Sequence, residues 1–282
     1  MKFLLLLVSA LMGQYVFAGS SSIFEVEGYS CMGSDFSRKE TERMALQDAK
    51  RRAIEFSKTH IESVTEMEDF ALKRDWVESY SSAQVKVLSI LSSIWDAPER
   101  GDCFNLTIRA EVVPSEQNLK RKKLNDDDPR LPLDLKVWSN ADRLKAGESL
   151  KIYLQANKPF FGRIIYTDAA GELLQLLPNP HRTEDYFQGG VRYEVPSGLD
   201  RFSLIVRAPY GQESVTVYGS TQPLGDIDTQ TLGAISKVNT DASKVPIQSR
   251  AMATKAPLED ADNSVPRVVE FAESTILIQT EP

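Results

Sequence analysis

Apolar and polar residues alternate along most of this chain with the period of β-strands, and the main departure is a helical stretch after Ser37. Phe24 and Val26 alternate with Glu25 and Glu27, the period-2 pattern of a half-buried strand. Ser37-Arg38-Lys39-Glu40 then fits a capping box, in which Ser37 caps a helix and Glu40 reaches back. The helix that follows carries Ala45, Ala49 and Ala53 four residues apart, with Leu46 and Phe56 beside them. Such a narrow alanine stripe lets a helix sit close against a sheet. Phe70, Leu72, Trp76, Val77 and Tyr80 predict a second, shorter helix after the acidic stretch Glu66-Met67-Glu68-Asp69. Two strands follow, Gln84 to Trp95 and, past a turn from Pro98 to Asp102, Cys103 to Val113. In the second of these Phe104, Leu106, Ile108, Ala110 and Val112 share one face, and Asn105, Thr107, Arg109 and Glu111 the other.

Residues 115–131, with the basic run Lys120–Lys123 and the acidic run Asp126–Asp128, read as a solvated linker. From residue 132 short strand-like runs recur: Leu133–Trp138, Ser149–Gln155, Phe160–Thr167, Glu172–Leu177, Val191–Val195, Phe202–Ala208 and Ser214–Gly219. Turn-forming groups separate them, among them Ala146-Gly147, Asn157-Lys158-Pro159 and Pro209-Tyr210-Gly211. Many short strands at such spacing predict an antiparallel sandwich or barrel. A polar excursion covers 225–264, with a short helix expected at Thr229–Val238, and a last strand at 274–280 returns to the sandwich. The expected architecture is therefore an α+β domain over 23–114, helices packed on a small antiparallel sheet, followed by an all-β sandwich-like domain over 132–282.

Two resemblances accompany this pattern. Gly28-Tyr29, the Ala-x₃-Ala-x₃-Ala helix, a Val-rich strand and a closing strand ending Glu111-Val112-Val113-Pro114 resemble the N-terminal domain of the flagellar assembly T protein, shared with small outer-membrane lipoproteins. That likeness implies an α+β fold in an envelope protein and carries no catalytic residues; the lipid-attachment cysteine of the lipoproteins is absent. The second half resembles a β-rich domain of unknown function found in bacterial envelope and signalling proteins. Lys145-Ala146-Gly147-Glu148-Ser149-Leu150, Phe160–Tyr166, Gly171-Glu172-Leu173 and Leu176-Leu177-Pro178-Asn179 carry this likeness. It continues through Gly189-Gly190 and Glu194-Val195-Pro196 to Ala208-Pro209-Tyr210-Gly211. It implies a non-catalytic module and leaves the ligand open.

The first eighteen residues set the compartment. Lys2, an apolar run from Phe3 to Met12 and the small-residue exit Val16-Phe17-Ala18 read as a secretory signal peptide. The run is shorter than the roughly 20 residues a membrane span needs, so no stable membrane insertion is expected and the location is periplasmic or secreted. In such an oxidising setting the two cysteines, Cys31 and Cys103, predict one disulfide, with two free thiols as the alternative. Cys31 shares strand parity with Glu25 and Glu27, and Cys103 with Asn105 and Thr107. Antiparallel pairing of the two strands would set the thiols side by side. Closing that loop stabilises a fold by roughly 4 kcal/mol through lost chain entropy in the unfolded state.

Composition narrows the chemistry. A formal charge of −7 argues against a nucleic-acid partner, which calls for a basic patch. The sequence lacks a nucleophile elbow, an H-E-x-x-H pair and a phosphate-cradling glycine loop. With His60 and His181 as its only histidines, it supplies no transition-metal set, so no cofactor and no enzymatic activity are expected. The remaining lead is the loop after Leu177, where Asn179, His181, Arg182, Tyr186 and Phe187 gather around Gly189-Gly190. These residues read either as a ligand-binding loop or as a loop pinned by its own aromatics. Two functions follow: an adaptor or assembly factor in an envelope protein complex, or a binding module for cell-wall fragments or peptides. If the leader is cut after Ala18, N-terminal sequencing of protein released by osmotic shock will begin at Gly19; a chain still carrying Lys2 would refute the cut.

Overall fold

The computed structural model describes residues 16–64, 70–96, 101–115, 128–198, 200–250 and 268–282. The apolar run Phe3–Met12, the acidic stretch at 66–69, the turn residues 98–100, most of the linker (116–127) and residues 251–264 of the polar excursion lie outside them. The first half runs β1 (Val16–Cys31), α1 (Arg38–Val64), α2 (Phe70–Ser81), β2 (Gln84–Trp95) and β3 (Cys103–Val113). The capping box forms as expected: the Ser37 amide donates to Glu40 Oε2 at 2.9 Å and the Glu40 amide to Ser37 Oγ at 3.3 Å. Those bonds from Ser37, backbone first, hold the Glu40 carboxyl below its ordinary range. Ala45, Ala49 and Ala53 are fully buried and pack with Phe24, Val26, Ile108 and Ala110 of β1 and β3. The helix comes so close that a Cβ on Gly28 would stand 2.1 Å from the Ala45 carbonyl oxygen.

β1 and β3 pair antiparallel from Ser22↔Val112 to Cys31↔Cys103. The last pair is joined by the disulfide, with Cα atoms 3.9 Å apart. Cys31 is exposed, whereas Cys103 is only 3% exposed, so the bond joins a solvent-facing residue to a buried one at the end of the sheet.

The second half contributes β4 (Leu135–Ser139), β5 (Arg143–Lys145), β6 (Ser149–Leu150), β7 (Ile152–Ala156), β8 (Phe160–Thr167) and β9 (Leu173–Leu177). It continues with β10 (Tyr186–Phe187), β11 (Tyr193–Val195), β12 (Leu204–Ile205) and β13 (Gln212–Ser220). A hairpin of β14 (Thr229–Leu232) and β15 (Ile235–Val238) follows, then α3 (Val245–Ser249) and β16 (Val269–Glu281). The molecule is β-rich, and its large sheet curls into an antiparallel half-barrel. The helix expected at Thr229–Val238 is a hairpin instead. Gly233 at φ 62° occupies the first position of its two-residue turn, a conformation that glycine adopts without steric cost.

The strand order β14-β15-β9-β8-β13-β16-β1-β3-β2 makes one sheet of both halves, with β5 joining β16 in parallel and β10 joining β8. β16 does more than return to the second half. It pairs with β13 over Gln212↔Gln279 to Ser220↔Phe271, and on its other flank with β1 over Val16↔Thr275 to Ile23↔Val269. One face of this sheet carries the α1 packing and, further along, a core in which Ile164, Val215, Val217, Ile276 and Ile278 meet Leu135, Val137, Ile152 and Leu154 of the separate sheet β11-β7-β4. The opposite face buries Ile23, Ile165, Tyr218 and Phe271 beneath Leu224, Val238 and Val245. Residues 224–250 thus form a cover held by a few apolar anchors.

Both faces of the β1–β16 seam bury charge. On the α1 face Glu270 Oε1 meets His60 Nε2 at 3.4 Å, while its Oε2 accepts from Lys158 Nζ at 2.8 Å and from the Leu133 amide at 2.7 Å. Burial opposes ionisation of Glu270, but the bonds from His60, Lys158 and Leu133 outweigh it and hold the carboxyl below 4.5. On the other face Arg250 bridges Glu111 (2.8 Å) and Glu273 (3.0 Å) over the Phe271 ring, and Ser21 Oγ donates to Glu111 at 2.7 Å. Because Glu270 titrates lower folded than unfolded, its stabilisation is complete at neutral pH and disappears as the pH falls below 4.5 through the folded value. Urea unfolding between pH 6 and pH 3 (roughly the carboxylate range) will show a smaller loss of stability for Glu270→Gln than for the wild type. Lys158→Met, which leaves the carboxylate short of its cation, costs about 3 kcal/mol at pH 7. Equal acid slopes in wild type and Glu270→Gln would refute this.

Candidate functional site

The loop nominated from sequence leaves β9 at Leu177 and re-enters the sheet at β10. Asn179 is buried and shapes the turn: its Oδ1 accepts from the amides of His181 (2.9 Å) and Arg182 (2.8 Å), and its Nδ2 donates to the Leu176 carbonyl at 2.8 Å. Backbone bonds between Asn179 and Arg182 close the same turn in both directions. An Asx side chain placed this way does locally what a ladder does at longer range. Gln175 Nε2 supports it by donating to the Pro178 carbonyl at 2.7 Å.

Arg182 turns inward. Its guanidinium meets Asp200 at 3.3 Å and lies over the Phe187 ring at 5.7 Å. The Asp200 side chain is fully buried and also accepts from the Ser197 amide at 2.6 Å, so this pair ties the loop to the chain after β11. Phe187 is 1% exposed, stacked on Phe160 at 5.0 Å and edge-on to Tyr193 at 5.0 Å. A Cβ on Gly162 would stand within 3 Å of both phenylalanine rings, at 2.8 and 2.9 Å, which explains glycine in mid-strand there. Gly189 similarly lets the chain approach the Lys158 backbone, where a Cβ would fall 2.6 Å from its Cα.

Of the five nominated residues, Asn179, Arg182 and Phe187 therefore hold the loop, Arg182 half-buried, while His181 and Tyr186 are exposed. Tyr186 is 48% exposed and packs edge-on against Phe161 at 5.3 Å. Phe161 went unnoticed in the sequence because its link to Tyr186 is the β8–β10 pairing, a non-local contact without local signal. Asp200 was missed for the same reason. The exposed Tyr186, packed on the half-buried Phe161, can stack on a flat ring or an apolar side chain.

Other buried ionisable groups serve packing. Tyr166 donates to Glu213 at 2.5 Å, and burial followed by that bond raises its phenol far above the ordinary value. Burial lowers Arg163, which donates to Ser249 Oγ at 3.0 Å and so fastens α3 to the sheet. Among the described residues no group of three or more His, Cys, Asp or Glu side chains is arranged to hold a metal ion, and no helix is long and apolar enough to cross a membrane.

Residues 143–223 match a family described as a domain of unknown function, DUF4384. β5 to β13 lie within the match, whereas β4 and β16, which complete the core around them, lie outside it. The part of the chain that resembles the domain of unknown function is thereby supported, and the loop after Leu177 falls inside it. No curated protein and no solved structure matches the chain.

The division of labour within the loop is measurable. Phe187→Ala removes a buried ring and lowers stability by about 3–5 kcal/mol, whereas Tyr186→Ala, at the surface, stays within about 0.5 kcal/mol of wild type. Chemical denaturation of both variants checks this, and equal losses would contradict the assignment.

Proposed function

We propose that this chain is an exported, non-catalytic envelope protein that acts as an adaptor or assembly factor in a periplasmic complex. The observation that carries this reading is the inward engagement of the loop: Asn179 and Arg182, the polar groups best suited to grip a small ligand, are bonded to the protein itself. The Cys31–Cys103 disulfide supports an oxidising compartment, where such bonds persist. The likeness of the first half to the flagellar assembly T protein's N-terminal domain supports a place among envelope assemblies. On this reading 23–114 is an α+β unit and 132–282 a sandwich-like unit, and the function is to present surfaces of both to protein partners.

A second reading is favoured by one feature, the exposed Tyr186 packed on Phe161 in the loop that also exposes His181: a module that binds cell-wall fragments or peptides there. Two measurements separate the readings. Cross-linking in intact cells followed by purification and quantitative mass spectrometry will recover a defined envelope protein if the adaptor reading holds. A thermal-shift screen of muropeptides and peptides will stay flat, since a ligand at 100 times its Kd would stabilise by about 2.7 kcal/mol. A clear shift that Tyr186→Ala abolishes, with no partner recovered, would replace the adaptor by the binding module.

A further inference from the structure

The disulfide joins two sulfurs with opposite surroundings. Cys31 ends β1 and is exposed, whereas Cys103 opens β3 and is buried. A disulfide sulfur carries no hydrogen, so the Tyr29 hydroxyl, 3.0 Å away, is the donor to Cys31 Sγ. Cys103 Sγ lies instead 3.1 Å from the Gly101 carbonyl oxygen, an acceptor. A thiolate is stabilised by a donor and disfavoured by burial and by an acceptor. Cys31 is thus the sulfur that a reagent can reach and that can carry negative charge, while Cys103 must take up a proton once released. The surroundings in the sheet keep the outer sulfur open. Tyr29 pairs with Asn105, and Asn105 with Ile94, in a cross-strand row two residues in from the disulfide. Tyr29 and Ile94 are exposed, and so is every residue from Gly33 to Ser37 beyond Cys31.

We propose that the Cys31–Cys103 bond is a site of thiol–disulfide exchange with a dithiol partner, and that Cys31 is the sulfur the partner attacks. In the first step a partner thiolate attacks Cys31 Sγ, the Cys31–Cys103 bond breaks, and a partner–Cys31 disulfide forms. Cys103 leaves with the electron pair, takes up a proton from solvent and donates it in a hydrogen bond to the Gly101 carbonyl. In the second step the partner's other thiol loses its proton and attacks the partner's own sulfur in the mixed disulfide. Cys31 departs as a thiolate, to which the Tyr29 hydroxyl already donates. Over both steps the dithiol is oxidised by two electrons and the protein disulfide is reduced by two. The pair is the last rung of the β1–β3 ladder, so the sulfurs exchange without opening the pairs from Ser22 to Ser30. This rests on the surroundings of the two sulfurs and stands apart from the adaptor reading.

The purified, disulfide-intact protein is mixed with glutathione under native conditions and quenched in acid. Its freed thiol is then capped with N-ethylmaleimide before peptide mass spectrometry. The expected product carries glutathione on Cys31 and maleimide on Cys103, about tenfold or more over the reverse, because attack follows access. Glutathione shared equally, or held chiefly by Cys103, would overturn the assignment. Reduction by dithiothreitol separates direct attack from attack on the unfolded chain. Direct attack keeps the same rate when about 1 M urea is added, whereas reduction through global unfolding speeds up steeply. A rate that climbs with urea would refute the exchange site. Tyr29→Phe, confirmed as folded by circular dichroism and its urea midpoint, lengthens the lifetime of the acid-quenched dithiothreitol adduct about threefold, because the departing Cys31 thiolate loses its donor. An adduct equally short-lived in Tyr29→Phe and wild type would overturn the second step as drawn.

Discussion

The burial of Glu270 in the seam between β1 and β16 is the constraint around which the other elements are arranged. A carboxylate this deep is tolerable only if it stays ionised among several donors or is fully paired. Its donors come from three remote segments: His60 near the end of α1, Lys158 in the turn before β8, and the amide of Leu133 at the entry to β4. Each bond therefore fixes the position of one segment relative to β16. The helix, the small sheet and the last strand cannot shift independently without stranding a buried charge.

The opposite side of the seam repeats this logic with reversed roles. Arg250 is the buried cation, and Glu111 of β3 and Glu273 of β16 are its acceptors. Since Arg250 directly follows α3, the ion pairs also dock the segment from 224 to 250 over Ile23, Tyr218 and Phe271. That segment has too few apolar residues to adhere by hydrophobic burial alone. Charge pairing in a site already shielded by Phe271 supplies the specificity that Leu224, Val238 and Val245 cannot.

Two surfaces remain after these demands are met. The loop after Leu177 is fixed because an Asx turn, an Arg–Asp pair and a cluster of three aromatic rings converge on it, leaving Tyr186 and His181 outward. The β2 edge is of another kind: it exposes Ile90, Leu91 and Ile94, and among the described strands it has β3 on one flank and none on the other. A rigid loop suits recognition of a compact shape, whereas an open strand edge suits pairing with another strand.

The features legible in the sequence are those governed by neighbours a few residues apart. The Ser37–Glu40 box, the alanine stripe of α1 and the alternation in β3 follow from short-range geometry, and β8 occupies the expected span Phe160–Thr167. The disulfide was legible too, because strand parity and a single pair of thiols left one geometry to satisfy. Thr229–Val238 misled because its period fits a helix as readily as a hairpin, and Gly233 decides only once β15 has β9 to pair with. β5 and β10 are too short for any periodic signal and exist as partners of β16 and β8. The pairing of β16 with β1 as well as β13, and the burial of Glu270 among His60, Lys158 and Leu133, were decided by tertiary structure alone. Residues more than a hundred positions apart leave no local trace of their contact, and a glutamate in an alternating strand reads as solvent-facing until the opposing donors are in place.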